Sequence, residues 1–135
     1  MRYQRIVSDM FPCSLHVFIG EFDHDQFMKK FRQIQKKANL PPDRVPDTTD
    51  LGFGCCWDMG TIQIVWLTNE PQRASDFSEM VHELTHAALH TARHLGFYQH
   101  RDDSDEFTCY YIQWATFKIL QKSWKKNVDS KADKD

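Results

Sequence analysis

The sequence lacks several features that would place it in a well-defined class of protein. Its 135 residues include four cysteines but no C-x-x-C pair, which argues against a zinc finger or a thioredoxin-type redox site. No apolar run approaches the roughly 18–20 residues that cross a bilayer, so we expect no membrane partner. Seventeen Lys and Arg residues stand against nineteen Asp and Glu residues. This lack of excess positive charge argues against nucleic acid as a partner.

We also expect no secretory leader. Basic residues near the N-terminus precede only the short apolar run Leu15–Ile19, which His16 interrupts, whereas a secretory signal needs roughly 7–15 apolar residues. We interpret the cysteines as reduced thiols of a protein in a reducing compartment, where they serve as small hydrophobic residues. These cysteines are Cys13, Cys55, Cys56 and Cys109.

What the sequence does contain is a succession of strand and helix patterns. We predict one domain over residues 1–126 and a charged, frayed tail over 127–135. The predicted strands are Ser14–Ile19, Phe53–Trp57 and Thr61–Thr68, the last two joined by a turn at Asp58–Gly60. The predicted helices begin at Asp23 or Asp25, at Asp76 and at Ser104, and end at Ala38, Leu95 and Trp124. The order β-α-β-β-α-α indicates an α+β domain with a small three-stranded sheet.

The second predicted helix, Asp76–Leu95, carries start and stop signals. Asp76 is a suitable N-cap, and Glu79 stands three residues later at the capping-box spacing. Gly96 suits the left-handed residue that ends many helices, and Phe97 can make the hydrophobic contact that accompanies such an ending.

The middle of this helix carries the pattern H-E-x-x-H, at His82, Glu83 and His86. Residues i and i+4 lie one above the other on a helix face, about 6 Å apart, so two imidazoles can bind one ion. Zinc lowers the pKa of its bound water to about 7, and a neighbouring carboxylate can take the proton as that water attacks a carbonyl. The pattern therefore predicts Zn²⁺ as cofactor, His82 and His86 as ligands, and Glu83 as general base.

A catalytic zinc usually has a third protein ligand, for which we favour Glu106. Glu106 lies twenty residues after His86, in the first turn of the last predicted helix, where the helix dipole favours a carboxylate. His100 is the competing candidate, and Asp103 and Asp105 are weaker ones.

His90 and His94 continue the i, i+4 series along the helix. They lie about 12 Å or more from His82 along the helix axis, so we expect them to be exposed or to support the ligands.

The stretch from about Val81 to Leu120 resembles the small gluzincin-type metallopeptidases, in which His, His and Glu bind zinc. The likeness is to compact zincin-like proteins encoded by phages. It rests on Ile64–Leu67, on H-E-L-T-H-A at His82–Ala87 and on D-E-x-x-x-Y at Asp105–Tyr110. Weaker likenesses are to ImmA/IrrE-type peptidases and to SprT-type proteases. The latter use a third His, which keeps His100 in consideration.

The resemblance implies a minimal zincin-like fold over residues 1–126 and a zinc-dependent peptidase. The implied ligands are His82, His86 and Glu106, with Glu83 as general base. The resemblance further implies that an extended protein or peptide substrate adds as a strand along Ile62–Leu67.

Two other functions fit the same residues. A non-catalytic interaction or assembly protein could retain a zincin fold and its zinc, since 135 residues leave little chain to shape a deep cleft. Metal-dependent hydrolysis of a non-peptide bond is the third alternative.

We expect a cytoplasmic protein, or one in the host-cell interior if its source is viral; a protein packaged in a virion would have the same features. Candidates for stabilising an oxyanion are Tyr110, Tyr111, His90 and His100.

Overall fold

A four-stranded mixed sheet forms the centre of the fold in the computed structural model, which describes residues 1–97 and 101–132 and the side chains of 1–97 and 106–125. The strands are β1 (Arg2–Val7), β2 (Ser14–Ile19), β3 (Gly54–Met59) and β4 (Ile62–Leu67). The helices are α1 (His24–Lys37), α2 (Ala74–Leu95) and α3 (Arg101–Ala132). The order across the sheet is β1-β2-β4-β3; β2 and β4 are parallel, and the other two pairs are antiparallel.

The α+β class is confirmed, but strand β1 was missing from the prediction. Its sequence, RYQRIV, begins with four polar or amphipathic residues, and only Ile6 is buried. A strand with one buried side chain shows no apolar alternation, so the pattern that identifies the other strands is absent. The sheet therefore has four strands instead of three, and the order is β-β-α-β-β-α-α.

The two central strands, β2 and β4, are covered on both faces. Leu15, Val17 and Val65 face one core that includes α2 and α3, while Phe18 and Ile64 face a second core that includes α1. Because successive side chains point to opposite faces, burial on both faces gives continuous apolar runs rather than alternation. The molecule thus has three layers, with the sheet in the middle.

The β3–β4 hairpin closes over two residues, Gly60 and Thr61, because Met59 pairs directly with Ile62. Gly60 has φ +89°, as the first central residue of a type II′ turn requires. The predicted turn at Asp58–Gly60 therefore starts two residues too early and ends one residue too early, because β3 continues through Met59.

Helix α2 begins two residues earlier than predicted. Arg73 is the N-cap, and Asp76 is the third helical residue rather than the cap. The Asp76 carboxylate accepts hydrogen bonds from the backbone N–H groups of Arg73 (2.9 Å) and Gln72 (3.2 Å). An acidic residue is common both at the N-cap and in the first turn of a helix, so the sequence alone did not separate the two positions.

The end of α2 is confirmed. Gly96 is left-handed, with φ 82°, and its N–H bonds back to the last turn of the helix. Phe97 packs against Phe107 of α3, with ring centroids 4.9 Å apart. Helix α1 likewise begins at a predicted cap, since the Asp23 side chain accepts from the Gln26 N–H at 2.9 Å.

Helix α3 packs along α2 and is longer than predicted. It starts at Arg101 instead of Ser104, and its backbone stays helical to Ala132, through most of the segment 127–135 assigned to a tail. The Arg2 guanidinium ties β1 to this helix, because it contacts both the Glu70 carboxylate and Ser123 Oγ. None of the helices in the described ranges is long and apolar enough to span a membrane.

His16 on β2 is a buried polar residue, with 5% of its surface exposed. Its Nδ1 lies 2.7 Å from the Tyr3 hydroxyl. Burial, together with the positive charges of Arg5 and Lys30, lowers the pKa of His16 to about 4. The folded protein therefore holds this imidazole neutral at pH values where an unfolded chain would protonate it.

We expect the free energy of unfolding to fall as pH drops from about 6.5 to about 4, because only the unfolded chain gains a proton at His16. Between pH 7.5 and pH 5, the free energy of unfolding should fall by about 2 kcal/mol because of His16. Urea unfolding of the wild type and of His16→Gln at both pH values measures this decrease. The amide oxygen of Gln can still accept from Tyr3 but does not titrate. Equal pH dependence in the two proteins would contradict the assignment.

Candidate metal centre

His82 and His86 form a pair on the solvent side of α2. Their Nε2 atoms are 3.2 Å apart, and 68% of the His82 side chain is exposed. Two nitrogens that share a tetrahedral zinc at Zn–N distances of about 2.0–2.1 Å lie about 3.3 Å from each other. The pair therefore has the spacing that one zinc ion needs. Leu84 and Ala87 are fully buried on the opposite side of the helix, which fixes its rotation.

Glu83 lies beside this pair but is buried, with 7% of its surface exposed. Its Oε1 is 4.0 Å from His82 Nε2. Burial raises the pKa of the Glu83 carboxyl, and the nearby imidazoles of His82 and His86 only partly oppose that shift. A carboxylate whose pKa is moved toward neutrality is a better proton acceptor and donor at neutral pH than an exposed one.

A cavity of about 530 Å³ opens beside the pair, between the start of β3 and the first turns of α2. Its lining residues are Phe53, Gly54, Ser75, Ser78, Glu79, His82 and Glu83. A Cβ atom on Gly54 would lie 3.1 Å from Glu79 Cγ and 3.2 Å from Glu83 Cγ. The missing side chain thus lets β3 approach α2 closely. Sequence reasoning missed Gly54, although a glycine within a strand is a known sign of close approach.

Glu79 holds the end of β4 against α2. Its carboxylate accepts from Thr68 N–H at 2.6 Å and from Thr68 Oγ1 at 2.7 Å. The predicted capping role of Glu79 is therefore wrong. Its carboxylate is directed toward the sheet and not toward the start of its own helix.

The remaining histidines of the series bind the β3–β4 hairpin. His90 Nδ1 is 3.2 Å from Gln63 Oε1, and His94 Nε2 is 3.2 Å from both carboxylate oxygens of Asp58. Gln63 is fully buried, and its amide also donates to Asp58 and to the Gly60 carbonyl at 2.8 Å. This network positions the hairpin against α2 through both histidines.

The described residues do not complete a three-ligand site. Among the side chains of residues 1–97 and 106–125, no three His, Cys, Asp or Glu groups are placed to hold a metal. Glu106 is exposed and adjoins Phe107, which packs at the far end of α2. Leu95 at that end is nine residues, roughly 13 Å along the axis, from His86. The structure therefore does not bring Glu106 to the histidine pair.

The other candidate ligands and the oxyanion candidates lie in several places along the chain. His100 lies outside the described residues, and the side chains of Asp103 and Asp105 lie outside the described side chains. Of the oxyanion candidates, Tyr111 is buried in the core between α2 and α3, where burial raises its pKa. Tyr110 packs against Phe11, with ring centroids 5.6 Å apart.

The predicted strand addition along Ile62–Leu67 is wrong, because this strand is internal. Strand β4 pairs with β2 on one side and with β3 on the other, so it has no free edge. None of the described strands pairs with the outer edge of β3. At the turn end of β3 the Asp58 carbonyl accepts from the Arg44 guanidinium at 3.2 Å, whereas the end at Gly54 opens onto the cavity.

Comparison of the chain with protein-family models, with curated proteins and with solved structures finds no match. The features that bear on function are therefore the geometry of His82, Glu83 and His86 and the cavity beside them.

We expect Glu79→Ala to lower the free energy of unfolding by about 1–2 kcal/mol, because the Thr68 N–H would lose its acceptor. Ser78→Ala is the matched control on the same turn of α2, and it should change stability by less than about 0.5 kcal/mol. Urea denaturation of the wild type and of both variants measures their free energies of unfolding. A similar loss of stability in both variants would show that the contact with Thr68 does not stabilise the fold.

Proposed function

We propose that this chain is a zinc-dependent peptidase in which His82 and His86 hold the metal and Glu83 is the general base. The observation that carries the proposal is the 3.2 Å separation of the two Nε2 atoms, with a buried carboxylate oxygen 4.0 Å from one of them. When bound, zinc supplies a Lewis acid that lowers the pKa of water to about 7 and polarises a carbonyl.

Glu83 supports this proposal through its position and its protonation. The carboxylate is close enough to His82 to take a proton from a water held at the histidine pair. Once it has taken that proton, the same carboxyl can return it to the amine that leaves when the peptide bond breaks. Its burial against Gly54 keeps it from turning away into solvent.

The substrate that fits this site is an extended peptide lying along the outer edge of β3. Free backbone groups on an edge strand can hydrogen-bond a peptide as an added strand, independently of its side chains. Phe53, which is 87% exposed at the mouth of the cavity, provides an apolar contact for one substrate side chain. We therefore propose a protein or peptide as the substrate. The strand that receives it is β3 instead of β4.

Metal content tests the ligands. Wild-type protein purified without added zinc should contain about one zinc per chain, and His82→Ala and His86→Ala should lose it. His94→Gln, on the same helix face, is the control and should keep its zinc. We expect Glu106→Ala to keep zinc as well because of its position, whereas loss in His100→Ala would identify His100 as third ligand. Retention of zinc in both pair variants would overturn the metal centre.

Peptide hydrolysis tests the role of Glu83 as general base. Glu83→Gln should bind zinc and fold like the wild type but hydrolyse unfolded casein about 10²–10⁴-fold more slowly, because the amide takes no proton. Glu79→Gln, which keeps an oxygen acceptor for Thr68 in the same cavity, is the control and should stay within about tenfold of the wild type. Hydrolysis unchanged in Glu83→Gln would refute the mechanism. Zinc binding without any hydrolysis by the wild type would favour the non-catalytic interaction protein.

A further inference from the structure

A second cavity, of about 430 Å³, lies on the opposite face of the sheet from α2. Helix α1 forms one wall, and β1, β2 and β4 form the floor. The polar or charged lining residues are Tyr3, Arg5, Ser14, His16, Lys30, Gln33 and Lys37, and the apolar ones are Ile34, Ala38 and Ile62. Its size lies within the range of small-molecule sites, about 300–1,000 Å³.

Three cations on the rim of this cavity lack acidic partners. Within the described residues, no carboxylate oxygen lies within 4.0 Å of Arg5, Lys30 or Lys37. Lys30 Nζ lies 4.3 Å above the centre of the Tyr3 ring. The chain as a whole carries a formal charge of −2, so this positive potential is a local feature. The same potential disfavours protonation of His16 in the floor.

His16 lines the floor of this cavity. Its Nδ1 is occupied by the Tyr3 hydroxyl at 2.7 Å, and in the described part of the chain its Nε2 has no hydrogen-bond partner. The Tyr3 hydroxyl can donate to Nδ1, and in that arrangement the proton of the neutral imidazole is on Nε2, where it can be donated to a ligand.

We propose that this cavity binds a small phosphate monoester, with the phosphate between the three cations and His16 Nε2 and the organic part against Ile34 and Ile62. A phosphate monoester carries about −1.5 to −2 charges and three acceptor oxygens, which matches several cations and a neutral N–H better than a single carboxylate does. The apolar residues occupy the part of the lining that a bare phosphate ion would leave empty.

Phenyl phosphate is the probe. We expect saturable shifts of the backbone amide resonances of His16 and Lys30 in ¹⁵N spectra of the full chain. Lys37→Gln and Arg5→Gln should each weaken binding by about threefold or more, because each removes one cation from the rim. Lys36→Gln removes the same charge from an exposed position outside the lining, and it should bind phenyl phosphate like the wild type. Thermal unfolding of each variant checks that the fold is kept.

Four outcomes would overturn the site. Shifts that do not saturate, or equal weakening in Lys36→Gln and Lys37→Gln, would show that overall charge and not the cavity attracts the anion. Binding of benzoate as tight as that of phenyl phosphate would refute the assignment to phosphate. A phosphoserine peptide that binds more tightly than phenyl phosphate would refute a small-molecule ligand. His16 and α1 take no part in the proposed peptide hydrolysis, so failure here leaves that proposal unaffected.

Discussion

The parallel pairing of β2 with β4, buried on both faces, is the constraint on which the rest of the structure depends. A parallel pair needs a long crossover, here residues 20–61, and needs cover on both sides. Helix α1 lies within that crossover and covers one face, and α2 and α3 cover the other. The two cavities therefore lie on opposite sides of the sheet, with separate sets of side chains and no shared residue.

The position of α2 follows from polar contacts at both ends of the β3–β4 hairpin. Glu79 binds the residue after β4, while His90 and His94 bind Gln63 and Asp58 near the turn. These contacts set the rotation of the helix and present His82 and His86 to solvent beside the β3 edge. A pair of exposed imidazoles is useful for metal binding only on a rigid scaffold of this kind.

Local sequence patterns predicted the elements that have strong local signals, and failed where distant contacts decide. Strand β2 is specified by its apolar run, and the end of α2 is specified by Gly96. Strand β1 has a single buried side chain and depends on pairing with β2, which no local pattern reveals. The H-E-x-x-H spacing predicted the histidine pair because four residues on a helix fix the distance between side chains. The position of Glu106 depends instead on how two helices pack, which spacing along the chain does not specify.

The contact of Arg2 with Ser123 joins residues 121 positions apart. During synthesis α1 follows β2 almost at once, but β4, α2 and α3, which also cover β2, follow tens of residues later. Closing so long a loop is an entropic cost that the final contacts must offset. The face of β2 that packs against α2 and α3 therefore stays without its full cover until α3 has been synthesised, whereas α1 can cover the other face soon after β2.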